Sequence, residues 1–153
     1  SPSEQQSSIL LSKSLPPNDS ITVTIYDKGS DNYWTSKNNY VELESGSSDE
    51  TQNWMIINDS DNTTVIYITQ DIDANKAITY DPNTSNKFLL KAYNPGDKSQ
   101  QFVVNPQKTD TLVSISCASN SSYYVVAKSG DIKDSKIGPG TSDSKQWMID
   151  TTV

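Results

Sequence analysis

The sequence predicts an all-β domain built from three copies of one four-stranded unit. Short runs rich in β-branched and aromatic residues recur along the chain, separated by Gly, Pro, Asn, Asp and Ser, with little helical periodicity. These runs are ITVTIY (21–26), WMII (54–57), TVIYIT (64–69), KFLL (87–90), QFVV (101–104), LVSIS (112–116), YYVVA (123–127) and QWMI (146–149). They favour a folded domain although only 33% of the residues are hydrophobic.

The repeat is carried by three versions of one phrase, QNWMI, QQFVV and KQWMI. Their aromatic residues, Trp54, Phe102 and Trp147, stand 48 and then 45 positions apart. Three other apolar phrases recur around them in a constant order, which indicates units of about 20–58, 63–106 and 110–151. We therefore expect one domain over residues 20–153, preceded by an extended, partly mobile leader over residues 1–19.

Twelve strands in three equal units predict a β-trefoil with pseudo-threefold symmetry. In this architecture six strands close a short barrel and six form hairpins over one end of it. The aromatic residue of each phrase is expected to point inward, so that three rings share one core layer. A closed barrel has no free edges and one filled centre, which explains how so few hydrophobic residues suffice.

Strand alternation also predicts the orientation of particular side chains. In the pair Tyr33-Trp34 we expect Trp34 inside and Tyr33 outside. Val113, Ile115 and Cys117 alternate with serines, so they are expected to share an inward face. Cys117 is the only cysteine, which excludes an internal disulfide, and we expect it to be a buried, unreactive packing residue.

Composition narrows the possible functions. The net charge is −7 and the chain has neither Arg nor His. The negative charge argues against a nucleic-acid partner, which needs a basic face. Without His the chain lacks the commonest general base and the commonest metal ligand. No apolar run is long enough to span a membrane. Only a carboxylate pair could perform acid–base catalysis, and the aspartates stand in turns like solvated surface groups. We predict no catalytic residues, no metal site and no cofactor.

Three phrases of the Gln-x-Trp type at this spacing resemble the ricin B-like β-trefoil lectin family. The resemblance covers nearly all of residues 20–151, with Phe102 replacing Trp in the second copy and Lys145 replacing Gln in the third. It implies a structural role for the phrase: the aromatic fills the core and the Gln ties a loop to the backbone. The residues to which this role applies are Gln52, Trp54, Gln100, Phe102 and Trp147.

The resemblance also implies a sugar pocket in each unit, formed by an Asp after the second strand, an aromatic shelf after the third, and a nearby amide. In the second unit, Asp81 and Tyr93 stand close to these positions, with Asn83 and Asn94 beside them. Carboxylates and amides suit sugar hydroxyls, and an aromatic plane suits the C–H face of the ring. Asp81 could instead only cap the turn before Pro82, and Tyr93 could be half-buried packing.

The other units match the pattern less well. In the first unit, Thr35 and Ser36 stand where the acid is expected, and Glu44 stands where the aromatic shelf is expected. A different pocket could form there. Its residues would be Asn38, Asn39, Tyr40 and Asp49. The third unit offers Asp131 and Asp134 but no aromatic shelf.

The predicted function is a secreted, non-catalytic lectin or hemagglutinin that binds glycans on glycoproteins or cell surfaces. The scaffold leaves two alternatives open: a protease inhibitor of the fungal type, and a receptor- or partner-binding subunit of a toxin complex. Neither nucleic acid nor membrane insertion is expected. The sequence leaves open whether the domain forms a homodimer or joins a larger complex.

Overall fold

The computed structural model describes residues 20–59, 61, 64–83, 88–127, 137–140 and 145–152. Within them the chain forms twelve β-strands and two short 3₁₀ helices, Glu50–Gln52 and Lys98–Gln100. The strands are β1 (Ser20–Asp27), β2 (Asn32–Lys37), β3 (Tyr40–Ser45), β4 (Trp54–Asn58), β5 (Ile66–Gln70), β6 (Lys76–Tyr80), β7 (Phe88–Ala92), β8 (Phe102–Asn105), β9 (Leu112–Cys117), β10 (Asn120–Ala127), β11 (Ile137–Gly140) and β12 (Trp147–Thr151).

Six of the strands close into a barrel. Antiparallel pairs join β1 to β4, β4 to β5, β5 to β8, β8 to β9, β9 to β12, and β12 back to β1. The other six form the hairpins β2–β3, β6–β7 and β10–β11. The hairpins meet one another, for example where Tyr40 of β3 pairs with Leu89 of β7. This arrangement is a β-trefoil and confirms the predicted fold class.

One aromatic side chain from each unit fills the centre of the barrel. Trp54, Phe102 and Trp147 are 0%, 1% and 0% exposed, which confirms their predicted burial. The indole N–H of Trp54 donates to the carbonyl of Trp34 at 2.9 Å, and that of Trp147 to the carbonyl of Val125 at 2.7 Å. The two tryptophans therefore link the barrel strands to the hairpins as well as filling the core.

The predicted side-chain orientations are also confirmed. Trp34 is buried, whereas Tyr33 is only half-buried. Val113, Ile115 and Cys117 are all buried. Burial raises the pKa of the Cys117 thiol to about 12, because the thiolate would lose its hydration.

Some sequence predictions concern other parts of the chain. The leader over residues 1–19 lies outside the described residues, as do Asp131 and Asp134 of the third unit. In the part of the chain that the structure describes, no helix has the length and hydropathy needed to cross a membrane.

Candidate functional site

A buried glutamine shapes the surface of the first unit. Gln52 is 3% exposed, and its side-chain oxygen accepts a hydrogen bond from the Ser47 backbone N–H at 2.9 Å. Its amide group donates to the Ser45 carbonyl at 2.8 Å and to Thr35 Oγ1 at 3.1 Å. Gln52 thus fastens the loop after β3 to the β2–β3 hairpin.

The second unit repeats this arrangement bond for bond. Gln100 accepts from the Asn94 N–H at 2.8 Å and donates to the Ala92 carbonyl at 2.9 Å and to Thr79 Oγ1 at 3.2 Å. The bonds give a residue-by-residue correspondence between the two units, in which Thr35 matches Thr79 and Ser47 matches Asn94. In the third unit, exposed Lys145 stands at the position of the glutamine and cannot accept these bonds.

A pocket of about 430 Å³ opens beside the glutamine of the first unit. Volumes of this size are typical of small-molecule sites. The residues that line it all have polar side chains: Thr35, Glu44, Ser45, Ser47, Asp49, Thr51 and Gln52. Thr35, Glu44 and Ser45 belong to strands β2 and β3, whereas Ser47 and Asp49 lie in the loop that Gln52 holds.

Two carboxylates give the pocket its electrostatic character. Asp49 accepts from the backbone N–H of Thr51 at 2.9 Å and from its hydroxyl at 3.0 Å, and these bonds lower the pKa of Asp49. Glu44 forms an ion pair with Lys37 at 2.9 Å, and the charge of Lys37 also lowers the pKa of Asp49. The pocket therefore offers charged acceptors together with hydroxyl groups.

A tyrosine lies next to the pocket. Tyr33 stands opposite Glu44 in the β2–β3 ladder, so the two side chains share the outer face of the hairpin. The Tyr33 ring packs against Tyr26 with centroids 4.9 Å apart. A Cβ added at Gly46 would lie 2.7 Å from Tyr33 Cε1, so a larger residue there would have to displace the ring. The first unit thus combines a polar pocket with a half-buried aromatic ring.

Asp81 and Tyr93, the residues predicted to form a sugar pocket in the second unit, flank the β6–β7 hairpin. In the β6–β7 ladder Tyr80 faces Phe88 and Lys76 faces Ala92. Asp81 therefore lies at the turn end of the hairpin and Tyr93 at the other end. Six residues of strand separate these ends, or about 20 Å at the usual rise per residue. The backbones of the two residues are therefore far apart, although the Asp81 side chain reaches Lys91, which stands two residues before Tyr93. That both residues contact the same sugar ring stays a prediction.

Asp81 and Asn83 contact each other in the turn after β6, whereas Tyr93 and Asn94 contact other residues. Asp81 Oδ1 accepts from the backbone N–H of Asn83 at 2.9 Å, as in the capped turn that the sequence left open, and Oδ2 lies 3.8 Å from the Lys91 ammonium. Tyr93 packs edge-on against Tyr67 at 5.3 Å. Asn94 is exposed and its N–H is held by Gln100.

The correspondence between units places Tyr93 and Asn94 at the second-unit equivalents of Gly46 and Ser47. These two predicted residues therefore lie beside the counterpart of the first-unit pocket, and Asp81 reaches its edge through its contact with Lys91, which stands at the Glu44 position. Whether any of the four binds sugar stays a prediction.

The first-unit pocket was only partly anticipated from the sequence. Asp49 was among the residues expected there. Asn38 and Asn39 form the β2–β3 turn and Tyr40 begins β3, and none of the three lines the pocket. Glu44 was considered only as a poor aromatic shelf, and Thr51 was missed. A usable signal was the spacing Ser47-x-Asp49-x-Thr51-Gln52, which matches Asn94-x-x-Asp97-x-Ser99-Gln100 in the second unit apart from one inserted residue.

Comparison with solved structures supports the fold. The chain is similar to part of a mosquitocidal holotoxin, with a TM-score of 0.73 and 18% identity over 92% of this chain. It is similar to the BEL β-trefoil, with a TM-score of 0.70 and 11% identity over 94% of this chain and 100% of that one. A GlcNAcα1-4Gal-releasing endo-β-galactosidase from Clostridium perfringens matches 87% of this chain, with a TM-score of 0.69 and 8% identity.

These likenesses define the class of the chain as a β-trefoil protein. This chain spans 18% of the holotoxin chain and 33% of the endo-β-galactosidase chain. No protein-family model matches the sequence, and no curated protein matches it. Membership of the ricin B-like family therefore stays a prediction.

Proposed function

We propose that this domain is a non-catalytic carbohydrate-binding module that holds a glycan in the first-unit pocket. The observation that carries the proposal is the polar lining of that pocket, in which Glu44 and Asp49 accompany serine and threonine hydroxyls. Sugar hydroxyls donate well to carboxylates and exchange hydrogen bonds with hydroxyl groups. Tyr33 lies beside the pocket and offers an aromatic face to the C–H groups of a sugar.

The electrostatics favour binding over hydrolysis. A glycosidase needs one carboxylic acid whose pKa is raised so that it can protonate the leaving group. The pKa of Asp49 is lowered by its bonds to Thr51, and Glu44 is paired with the ammonium of Lys37. Asp49 is therefore suited to accept hydrogen bonds rather than to deliver a proton.

The comparisons are compatible with a module that serves a larger assembly. Two of the similar chains are several times longer than this one, and they belong to a toxin and to an enzyme that acts on a glycan. We propose that the domain acts outside the cell and directs a partner to glycans on glycoproteins or cell surfaces. A receptor- or partner-binding role in a toxin complex is the alternative that these similarities favour.

The test is a glycan array followed by titration calorimetry with the best neutral glycan. Asp49→Asn keeps the oxygen that accepts from Thr51 but removes one of the two negative charges that line the pocket. We expect it to weaken binding tenfold or more, which corresponds to about 1.4 kcal/mol. Asp73→Asn is the matched control, because Asp73 accepts from the Asn75 N–H in a turn that does not line the pocket.

Loss of binding in Asp49→Asn with retention in Asp73→Asn supports the proposal. An array without any ligand, or equal losses in the two variants, argues against it and favours the partner-binding alternative. Circular dichroism of both variants checks that the strands are retained.

A further inference from the structure

The correspondence between the first two units reveals an ion pair with reversed polarity. In the first unit the ammonium of Lys37 on β2 pairs with Glu44 on β3 at 2.9 Å. The equivalent positions in the second unit are occupied by Asp81, just after β6, and Lys91 on β7, at 3.8 Å. The acidic Glu44 of the first-unit pocket is therefore replaced by the basic Lys91 in the second unit, whereas Asp49 has its counterpart in Asp97.

Two more differences lie around the same spot. Tyr93 stands where the first unit has Gly46, and Lys98 begins the 3₁₀ helix where the first unit has Glu50. The helix cap is retained. Asp97 Oδ1 accepts from the Ser99 backbone N–H at 2.9 Å, as Asp49 Oδ1 does from the Thr51 N–H. The hydrogen-bonding frame is retained with one inserted residue, while Glu44, Gly46 and Glu50 are replaced by Lys91, Tyr93 and Lys98.

The loop that carries these groups is firmly held. The Tyr67 hydroxyl donates to Asp59 Oδ1 at 2.6 Å and accepts from the Gly96 N–H and from Gln101 Nε2, both at 2.9 Å. The Tyr67 ring also supports the ring of Tyr93. Binding would therefore cost little ordering of the loop, because its position is set before a ligand arrives.

We propose that the second unit is a separate binding site for an acidic glycan, one that bears a carboxylate or a sulfate. This inference rests on the proposed carbohydrate-binding function and names the ligand class of a second site. Lys91 supplies a charge-assisted donor to the anion, and Tyr93 provides the aromatic face for the sugar that carries it. The lysine side chain is 53% exposed and its contact with Asp81 is long, so an incoming anion can replace Asp81.

In this proposal Asp81 does not bind the sugar but competes with it for Lys91. If Asp81 accepted hydroxyl groups of the ligand, Asp81→Asn would weaken binding. If Asp81 competes with the ligand for Lys91, Asp81→Asn strengthens binding of the acidic glycan. The sign of this change distinguishes the two roles.

The experiment compares N-acetyllactosamine with its terminally sialylated and its sulfated forms, using titration calorimetry at fixed ionic strength. Lys91→Gln should weaken the acidic forms tenfold or more and leave the neutral form unchanged. Lys76→Gln is the matched control: it removes one positive charge from the same hairpin, but Lys76 pairs with Ala92 and so points to the face opposite Lys91. It should bind all three glycans as the unmodified domain does.

The outcomes separate this inference from the proposed function. A preference for the sialylated or the sulfated form that Lys91→Gln abolishes supports the inference and identifies the anion. Equal binding of neutral and acidic forms, or equal losses in the Lys91 and Lys76 variants, overturns the inference alone, provided that Asp49→Asn still abolishes neutral binding. Failure of every glycan on the array to bind overturns the proposed function as well.

Discussion

Replacement of Gln52 by alanine tests how the first-unit pocket is held together. Gln52 makes three hydrogen bonds, to the backbones of Ser45 and Ser47 and to the hydroxyl of Thr35. An average bond of this kind contributes about 1 kcal/mol. The Ser45 carbonyl and the Ser47 N–H can bond to water once the side chain is gone. We therefore expect Gln52→Ala to lower the free energy of unfolding by about 2–3 kcal/mol.

The assay is equilibrium unfolding in urea, in which the midpoint should fall while the slope stays constant. Gln100→Ala is the matched variant, because Gln100 makes the same three bonds in the second unit. It should cost a similar free energy but leave binding of a neutral glycan intact, whereas Gln52→Ala should weaken that binding. A loss below about 0.5 kcal/mol in both variants would refute the idea that the glutamines fix the loops.

Three further predictions concern stability and reactivity. Trp54→Phe should lower the free energy of unfolding by about 1–3 kcal/mol in urea titrations, because the buried carbonyl of Trp34 loses its donor. Cys117 should resist thiol reagents in the native protein and react only after unfolding, since burial raises its pKa to about 12. Burial, and then the charge of Asp110, raise the pKa of Asp150 in the folded state, so its charge costs stability as pH rises above the unfolded pKa of about 3.9. Asp150→Asn should therefore stabilise the domain at pH 7 in thermal or urea unfolding and give no gain below about pH 3. The gain should stay below about 1 kcal/mol, because solvent screens this partly exposed carboxylate.

The fold could be predicted from the sequence because its signal repeats. Trp54, Phe102 and Trp147 recur at nearly equal spacing, and a side chain that must fill the same core layer in each unit leaves a periodic trace. Alternation within a strand was enough to place Trp34 inside and Tyr33 outside. Both features depend on local geometry that is common to all strands.

The candidate site was harder to predict because it depends on register and on loop shape. Asp81 and Tyr93 are only 12 positions apart in the sequence, yet the β6–β7 ladder sends them to opposite ends of one hairpin. The first-unit pocket depends on Gln52 holding a loop whose residues are ordinary serines and acids. No residue type marks such a cavity, so it became visible only when the loop and the hairpin were placed together.

The most direct measurement of the central claim is an NMR titration of the ¹⁵N-labelled domain with the neutral glycan that binds best on the array. If the first-unit pocket binds the glycan, amide signals around it, including those of Ser47 and Thr51, should shift in a saturable way that Asp49→Asn suppresses. Shifts confined to the third unit or to the protein surface away from the pocket would contradict binding of the glycan in the first-unit pocket. A titration that leaves every amide signal in place would do the same.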